Sequence, residues 1–181
     1  MKVVFLDIDG VLVPQHAKKY TNGSQERDQF GLLFNGYCVD NLEWLCRESD
    51  AKVVISSTWR LDRMPDWTPE KGLRQMQQLF RHRCVDVDII GVTPDVARLI
   101  DNGPLAGLLW EAAERGHEIQ DWLNAHSEVT HYVILDDHSD MLSTQAPHFV
   151  LCKASNGFTW ENCKEAMTVL ELPELAPPSL Y

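Results

Sequence analysis

The chain has 181 residues and a mass of 20.7 kDa. Hydrophobic residues make up 44% and charged residues 24% of it, a balance that excludes wholesale disorder and a collagen-like repeat. Sixteen basic and 27 acidic residues give a formal net charge of −11, which argues against extended non-specific binding to nucleic acid. No apolar run reaches the roughly 20 residues of a membrane helix, and carboxylates interrupt the N-terminal stretch MKVVFLDIDG. Neither a membrane span nor a signal peptide is predicted.

The elements predicted in chain order are short β-rich runs that alternate with helical patterns, which indicates a parallel sheet covered by helices. The runs that predict strands are Lys2–Leu6, Lys52–Ile55, Val87–Gly91, His131–Leu135 and His148–Cys152. Apolar residues at helical spacing predict one helix capped by Asp40 and others over Leu73–Phe80, Ile119–Leu123 and Trp160–Leu170.

Residues 1–172 are predicted to form one domain, and residues 173–181 a tail with three prolines. Residues 14–36 are polar and rich in turn formers, and are predicted to be an insertion, either a lid loop or a small hairpin. Lys18, Lys19 and Arg27 give this insertion a local positive charge that suits a phosphorylated substrate. The alternative is an ordinary solvated loop.

The cysteines are five in number and never spaced as CxxC: Cys38, Cys46, Cys84, Cys152 and Cys163. An odd, scattered set favours reduced and mostly buried thiols over disulfides or a zinc site. Together with the absence of a signal peptide, this predicts a cytoplasmic protein.

Reactive side chains follow three of the predicted strands at the point where each strand ends. They are Asp7 and Asp9, Ser56 and Ser57, and Asp136 and Asp137. The carboxyl ends of parallel strands meet at one edge of a sheet, where α/β proteins bind ligands, so these groups are expected to share a crevice. Four carboxylates so close together would repel one another, and a hard cation is the expected neutraliser. Mg²⁺ fits, because it binds carboxylate, water and phosphate oxygens.

The segment Asp7-Ile8-Asp9-Gly10 suits a division of labour between two carboxylates. Asp7 would attack phosphorus and form an aspartyl-phosphate. Asp9 would protonate the leaving oxygen and later deprotonate the attacking water. Gly10 would allow a sharp turn of the backbone beside the phosphate.

Four segments, in order, resemble the motifs of the haloacid-dehalogenase (HAD) superfamily. They are Asp7–Val11, the serine pair after the second strand, a basic residue ahead of a helix, and Leu135-Asp136-Asp137. Ser56–Arg60, Arg115–Leu123 and Gly157-Phe158-Thr159 further resemble the HAD domains of the Swiss-army-knife nucleic-acid-repair type. The resemblance implies a doubly wound, mostly parallel sheet with helices on both faces. It also implies Mg²⁺-dependent hydrolysis of phosphomonoesters through an aspartyl-phosphate. The insertions are too short for more than a minimal cap.

Carried over position by position, the resemblance makes Asp7 the nucleophile and Asp9 the general acid and base. It assigns Mg²⁺ to Asp7, the backbone carbonyl of Asp9, and the pair Asp136 and Asp137, without deciding which of that pair binds it directly. Asp140 is a further outer candidate, and an N-cap role is its alternative.

For phosphate binding, the resemblance indicates Ser56 with its neighbour Ser57, and Arg115 as the basic residue. Lys71 is the alternative to Arg115. Arg60 is a further phosphate-binding candidate with Trp59 stacking on a base, or else Trp59 is core and Arg60 pairs with a carboxylate. His138 lies beside the acidic pair and is either a substrate contact or an exposed loop histidine.

The substrate implied by the resemblance is a terminal phosphate of a nucleotide or nucleic acid, and an open site would suit such a bulky molecule. A phosphatase for small phosphorylated metabolites is one alternative. A non-catalytic HAD-fold binding module is another, although all the expected catalytic residues are present. A response-regulator-like receiver fits poorly, because its phospho-acceptor ends a later strand. The oligomeric state and any protein partners are left open.

Overall fold

A computed structural model of the chain describes residues 1–15, 26–61, 66–95 and 115–172. Its strands are β1 (Lys2–Leu6), β2 (Arg27–Asp28), β3 (Gly31–Leu32), β4 (Lys52–Ile55), β5 (Ile89–Val92), β6 (His131–Asp136) and β7 (Phe149–Leu151). Its α-helices are α1 (Gly36–Ser49), α2 (Pro69–His82), α3 (Arg115–Asn124) and α4 (Trp160–Val169). Two 3₁₀ helices cover Thr58–Leu61 and Ser143–His148.

Five strands form a parallel sheet in the order β5-β4-β1-β6-β7. β1 lies at its centre, with Phe5 opposite Val54 of β4 and Ile134 of β6. A central parallel strand is buried on both faces, which is why β1 is a continuous apolar run. The strands β1, β4 and β6 therefore bring their carboxyl ends to neighbouring positions on one edge.

Helices cover both faces of this sheet. On one face Val4 and Leu6 of β1 pack in a core to which α1, α2 and α4 contribute. On the other face Val3 and Phe5 pack with Ile119 and Trp122 of α3. The predicted α/β fold with a doubly wound parallel sheet is thus confirmed.

Two predicted helix starts are wrong. α1 begins at Gly36, because the side-chain oxygen of Asn35 accepts a hydrogen bond from the backbone of Cys38 at 3.2 Å and caps the helix there. Asp40 consequently lies inside α1. In α2 the cap is Thr68 and Pro69 is the first residue, so Lys71 lies in the first turn rather than ahead of the helix.

The described part of the predicted 14–36 insertion contains an antiparallel hairpin of β2 and β3. Asp28 of this hairpin binds the guanidinium of Arg83 through two hydrogen bonds of 2.9 and 3.0 Å. Such a bidentate pair fixes the hairpin against the end of α2. Lys18 and Lys19 lie outside the described residues, and so does the 173–181 tail.

All five cysteines are free, and only Cys84 is exposed. Within the described ranges, no helix combines the length and the apolar character needed to cross a membrane.

Candidate active site

Asp7 occupies the centre of the site, directly after β1. Its backbone N–H donates to the carbonyl of Leu135 at 3.0 Å, so the parallel pairing of β1 with β6 continues up to the residue itself. This pairing sets Asp7 beside Asp136, the last residue of β6. Both carboxylates are almost completely buried.

Arg115 lies between these two carboxylates. Its Nη1 is 3.6 Å from Asp7 Oδ1, and its Nε is 3.6 Å from Asp136 Oδ2. The backbone N–H of Arg115 donates to the carboxylate of Asp140 at 3.3 Å, and the N–H of Gly116 donates to the Asp140 carbonyl at 3.1 Å. The loop after β6 therefore holds the start of α3, and with it the guanidinium that faces the buried acids.

The Gln145 side chain adds to this junction. Its amide N–H donates to the carbonyl of Gly116 at 2.9 Å, while its carbonyl oxygen accepts from the N–H of Leu142 at 3.1 Å. A Cβ on Gly116 would lie 2.4 Å from the backbone nitrogen of Leu142, so the close approach of α3 to this loop requires glycine there.

The electrostatics of Asp7 and Asp136 favour binding of a cation. Burial raises the pKa of Asp7 above its usual value, against the opposing effects of the Arg115 charge and the Ser57 hydrogen bond. Burial, followed by the charge of Asp7, raises the pKa of Asp136 to about 7. One arginine thus compensates the buried negative charge only in part.

The donors present fit Mg²⁺. Asp136 Oδ2 is buried and has no hydrogen-bond partner among the described residues, while Oδ1 accepts from the N–H of His138 at 2.9 Å. Asp136, Asp137 and His138 each bring a ligand atom within 4.8 Å of the others. The carboxylate oxygens are the hard donors that Mg²⁺ prefers. His138 is largely exposed, and the neighbouring carboxylate of Asp137, whose Oδ1 lies 2.8 Å from its Nδ1, raises its pKa.

Gly10 lets Asp137 approach the loop after β1. Its φ of +75° lies in the left-handed region, and a Cβ at this position would lie 2.3 Å from Asp137 Oδ2. Both the backbone conformation and the contact with the acidic pair thus require glycine.

Asp9 projects from the same loop and is exposed. The indole N–H of Trp59 donates to its Oδ2 at 2.8 Å. Trp59 is in turn held by Phe34, with ring centroids 6.1 Å apart, and by the guanidinium of Arg83 at 5.6 Å from its ring. The Trp59–Asp9 bond links two segments 50 residues apart, and no sequence pattern pointed to it.

The two serines differ in their surroundings. The Ser57 side chain is hydrogen-bonded to Asp7, which opposes the rise in the pKa of that carboxyl. Ser56 Oγ is buried without a hydrogen-bond partner in the described part of the chain. Of the two hydroxyls, Ser57 is the one in contact with the central carboxylate.

Arg60 is buried, and its guanidinium is occupied by protein groups. It donates to the backbone carbonyls of Ser57, Thr93 and Pro94 at 2.8 to 3.0 Å and to the Glu118 carboxylate at 2.7 Å. This arrangement matches the alternative in which Arg60 pairs with a carboxylate. The bond to the Ser57 carbonyl makes Arg60 an anchor for the serine loop.

Two other candidates lie in different surroundings. Lys71 forms an ion pair with Asp66 at the surface. The Asp140 carboxylate accepts a hydrogen bond from the backbone N–H of Arg115, the first residue of α3. Asp140 therefore caps a helix, but this helix precedes it in the sequence.

The parallel sheet, the acidic residues at the ends of β1 and β6 and the basic residue at the start of α3 together define a HAD-type domain. Residues 3–163 match the model of the family described as the HAD domain in Swiss Army Knife RNA repair proteins, and the chain belongs to this family. No curated protein and no solved structure matches the chain.

Proposed function

We propose that the protein is a Mg²⁺-dependent phosphomonoesterase that removes terminal phosphates from nucleic acids through an aspartyl-phosphate on Asp7. The observation that carries this proposal is the position of Asp7 at the end of β1, between the guanidinium of Arg115 and the hydroxyl of Ser57. The family description, which concerns RNA repair, supports the substrate class.

In the first step, an Asp7 carboxylate oxygen attacks phosphorus as the bond from phosphorus to the leaving oxygen breaks. Asp9 gives its proton to that leaving oxygen. In the second step, Asp9 takes a proton from water, the water oxygen attacks phosphorus, and the bond to Asp7 breaks. Inorganic phosphate leaves, and both carboxyl groups return to their starting states.

Arg115 and Ser57 would orient Asp7 and bind phosphoryl oxygens. Ser57 is preferred to Ser56 for this role because it already contacts Asp7. Mg²⁺ would be held by Asp7, Asp136 and the carbonyl of Asp9, and it supplies positive charge that offsets the charge of the transferring group. Asp136 is the better direct ligand of the acidic pair, because its buried Oδ2 has no hydrogen-bond partner among the described residues, whereas Asp137 Oδ1 lies 2.8 Å from Nδ1 of the His138 ring.

The experiment that tests this function is phosphate release from a panel of substrates at fixed Mg²⁺, with and without EDTA. The panel holds an aryl phosphate, mononucleotides, and oligoribonucleotides with a 3′ or a 5′ phosphate. We expect Mg²⁺-dependent release that is fastest from an oligoribonucleotide end. Release restricted to mononucleotides and other small phosphates would favour the metabolite phosphatase, and no release from any substrate would contradict the enzymatic function.

Trp59→Phe tests whether the indole positions Asp9. The variant keeps an aromatic ring beside Phe34 and Arg83 but loses the N–H that binds Asp9. We expect kcat for an alkyl phosphate to fall about tenfold, because a poor leaving group needs a well-placed acid. The loss for a nitrophenyl phosphate, whose leaving group needs little protonation, should be much smaller. Equal losses on both substrates would contradict the positioning role.

A further inference from the structure

An open groove of about 960 Å³ lies beside the candidate active site. Its walls come from the β2–β3 hairpin, the 3₁₀ helix that follows the serine pair, and one face of α2. This volume is at the upper end of the roughly 300–1,000 Å³ typical of small-molecule sites, so there is room for more than a phosphate group.

The groove is lined by basic and aromatic side chains in an otherwise acidic protein. Among its described lining residues the charged ones are Lys71 and Arg74, and both are basic, whereas the whole chain carries −11. Phe30, Trp59 and Trp67 also line it. Basic side chains beside aromatic rings form the usual surface for single-stranded nucleic acid, because the former bind phosphates and the latter stack on bases. Charge and ring chemistry therefore point to the same ligand.

The groove adjoins the site through Trp59 and Thr58. Trp59 lines it and at the same time donates its indole N–H to Asp9. Thr58, which also lines it, directly follows Ser57, the residue that contacts Asp7. A strand whose terminal phosphate reached Asp7 would therefore have this groove next to it for its adjoining nucleotides.

Polar groups complete the lining. The amide side chains of Gln29, Gln75 and Gln78 can donate to and accept from base edges or sugar hydroxyls. The indole of Trp67 is held by a 2.6 Å hydrogen bond to the carbonyl of Arg60, the same residue that anchors the serine loop. Rigid aromatic surfaces of this kind lose little entropy when a base stacks on them.

We propose that this groove binds the nucleotides that adjoin the terminal phosphate of a single nucleic-acid strand, with Arg74 contacting a phosphodiester. The proposal rests on the proposed function and deepens it, because it explains how an acidic protein would select a strand end over a small phosphate. Arg74 is the better probe of the two basic residues, since it is exposed whereas Lys71 also binds Asp66.

The test compares Arg74→Glu with Arg81→Glu, a control that removes an exposed arginine from the same helix outside the groove. Binding of a fluorescent, 3′- or 5′-phosphorylated oligoribonucleotide of six nucleotides is measured by anisotropy on an inactive Asp7→Asn background. Phosphate release is measured on the active background. Melting temperatures check the folding of each variant, and Arg74→Gln avoids placing a like charge beside Glu70.

We expect Arg74→Glu to weaken oligonucleotide binding about tenfold and to reduce the slope of log affinity against log salt by about one. The factor by which kcat/KM falls should be at least about fivefold larger for the oligonucleotide than for an aryl phosphate. Arg74→Gln should also lower oligonucleotide affinity and oligonucleotide kcat/KM. Arg81→Glu should match its parent in oligonucleotide binding and in hydrolysis of both substrates.

Three results would overturn the inference, and they are distinguishable. If Arg74→Glu binds and hydrolyses oligonucleotides as well as its parent does, the groove is not the strand site and the proposed function stands. If only small phosphates are hydrolysed and no oligonucleotide binds, the phosphatase activity stands without a strand site. If no substrate is hydrolysed or bound, both proposals fail.

Discussion

Asp7→Asn is expected to lower kcat for every substrate at least about 1,000-fold, because the amide oxygen is too poor a nucleophile to form the phosphoryl intermediate. The substitution is close to isosteric and keeps an acceptor for the Ser57 hydroxyl, so the fold should be retained. It also removes one of two neighbouring buried charges, and the melting temperature without metal should therefore stay the same or rise.

The matched control is Asp40→Asn, which makes the same chemical change at an exposed position of α1. Phosphate release and thermal unfolding are measured side by side for both variants. Residual activity of Asp7→Asn above a few per cent, with wild-type metal dependence, would exclude Asp7 as the nucleophile.

Asp136→Asn is expected to abolish Mg²⁺-dependent activity and yet to stabilise the metal-free protein at pH 8. Burial and the charge of Asp7 raise the pKa of Asp136 from 3.8 to about 7, so the folded protein holds this proton more tightly than the unfolded chain. The stability of the metal-free wild type therefore falls as pH rises from about 4 to about 7, and the destabilisation by ionised Asp136 is fully present above that range. Asparagine does not ionise, so the variant lacks this destabilisation.

The measurement is thermal unfolding at pH 5 and pH 8, with EDTA or with Mg²⁺. At pH 8 in EDTA we expect the variant to gain on the order of 2 kcal/mol, or roughly 5 °C in Tm, over wild type. The gain should shrink at pH 5, and Mg²⁺ should stabilise wild type but not the variant. A variant that is less stable than wild type at pH 8 in EDTA would contradict the claim that the buried charge of Asp136 destabilises the metal-free protein.

The sequence predicts the framework of the site because strand burial and strand ends leave a direct pattern. β1 and β4 have the bounds that their apolar runs predict, since central parallel strands bury both faces. Asp7 and Asp136 follow such runs, and parallel pairing then brings them together. The start of α1 was harder to predict, because Asn35 and Asp40 are both good caps and only the packed chain selects the first.

The side-chain contacts around the site could not be predicted from the sequence. Each depends on the orientation of one side chain and joins residues that are far apart in the chain. Trp59 reaches Asp9 and Arg60 reaches Glu118 over 50 and 58 residues respectively. Neither pair has a characteristic spacing. The choice between Ser56 and Ser57 likewise depends on how the chain turns after β4, which adjacent identical residues do not reveal.

The role of the hairpin becomes clear only in three dimensions. Arg83 binds Asp28 of the hairpin and also lies 4.2 Å from the centre of the Phe34 ring and 5.6 Å from that of Trp59. The hairpin is thereby connected to the residue that holds Asp9. What the sequence presents as a polar insertion is, in its described part, a support for the candidate general acid and one wall of the groove.

Capture of the phosphoryl group on Asp7 would show directly that this residue is the nucleophile. Asp9→Asn is mixed with nitrophenyl phosphate and Mg²⁺, quenched in acid, and its peptides are analysed by mass spectrometry. This substrate needs little acid catalysis to form the intermediate, whereas its hydrolysis needs Asp9 as a base, so the intermediate should accumulate. We expect one phosphoryl group on the peptide that contains Asp7, lost on treatment with hydroxylamine. Mg²⁺-dependent phosphate release with no such labelled peptide would contradict it.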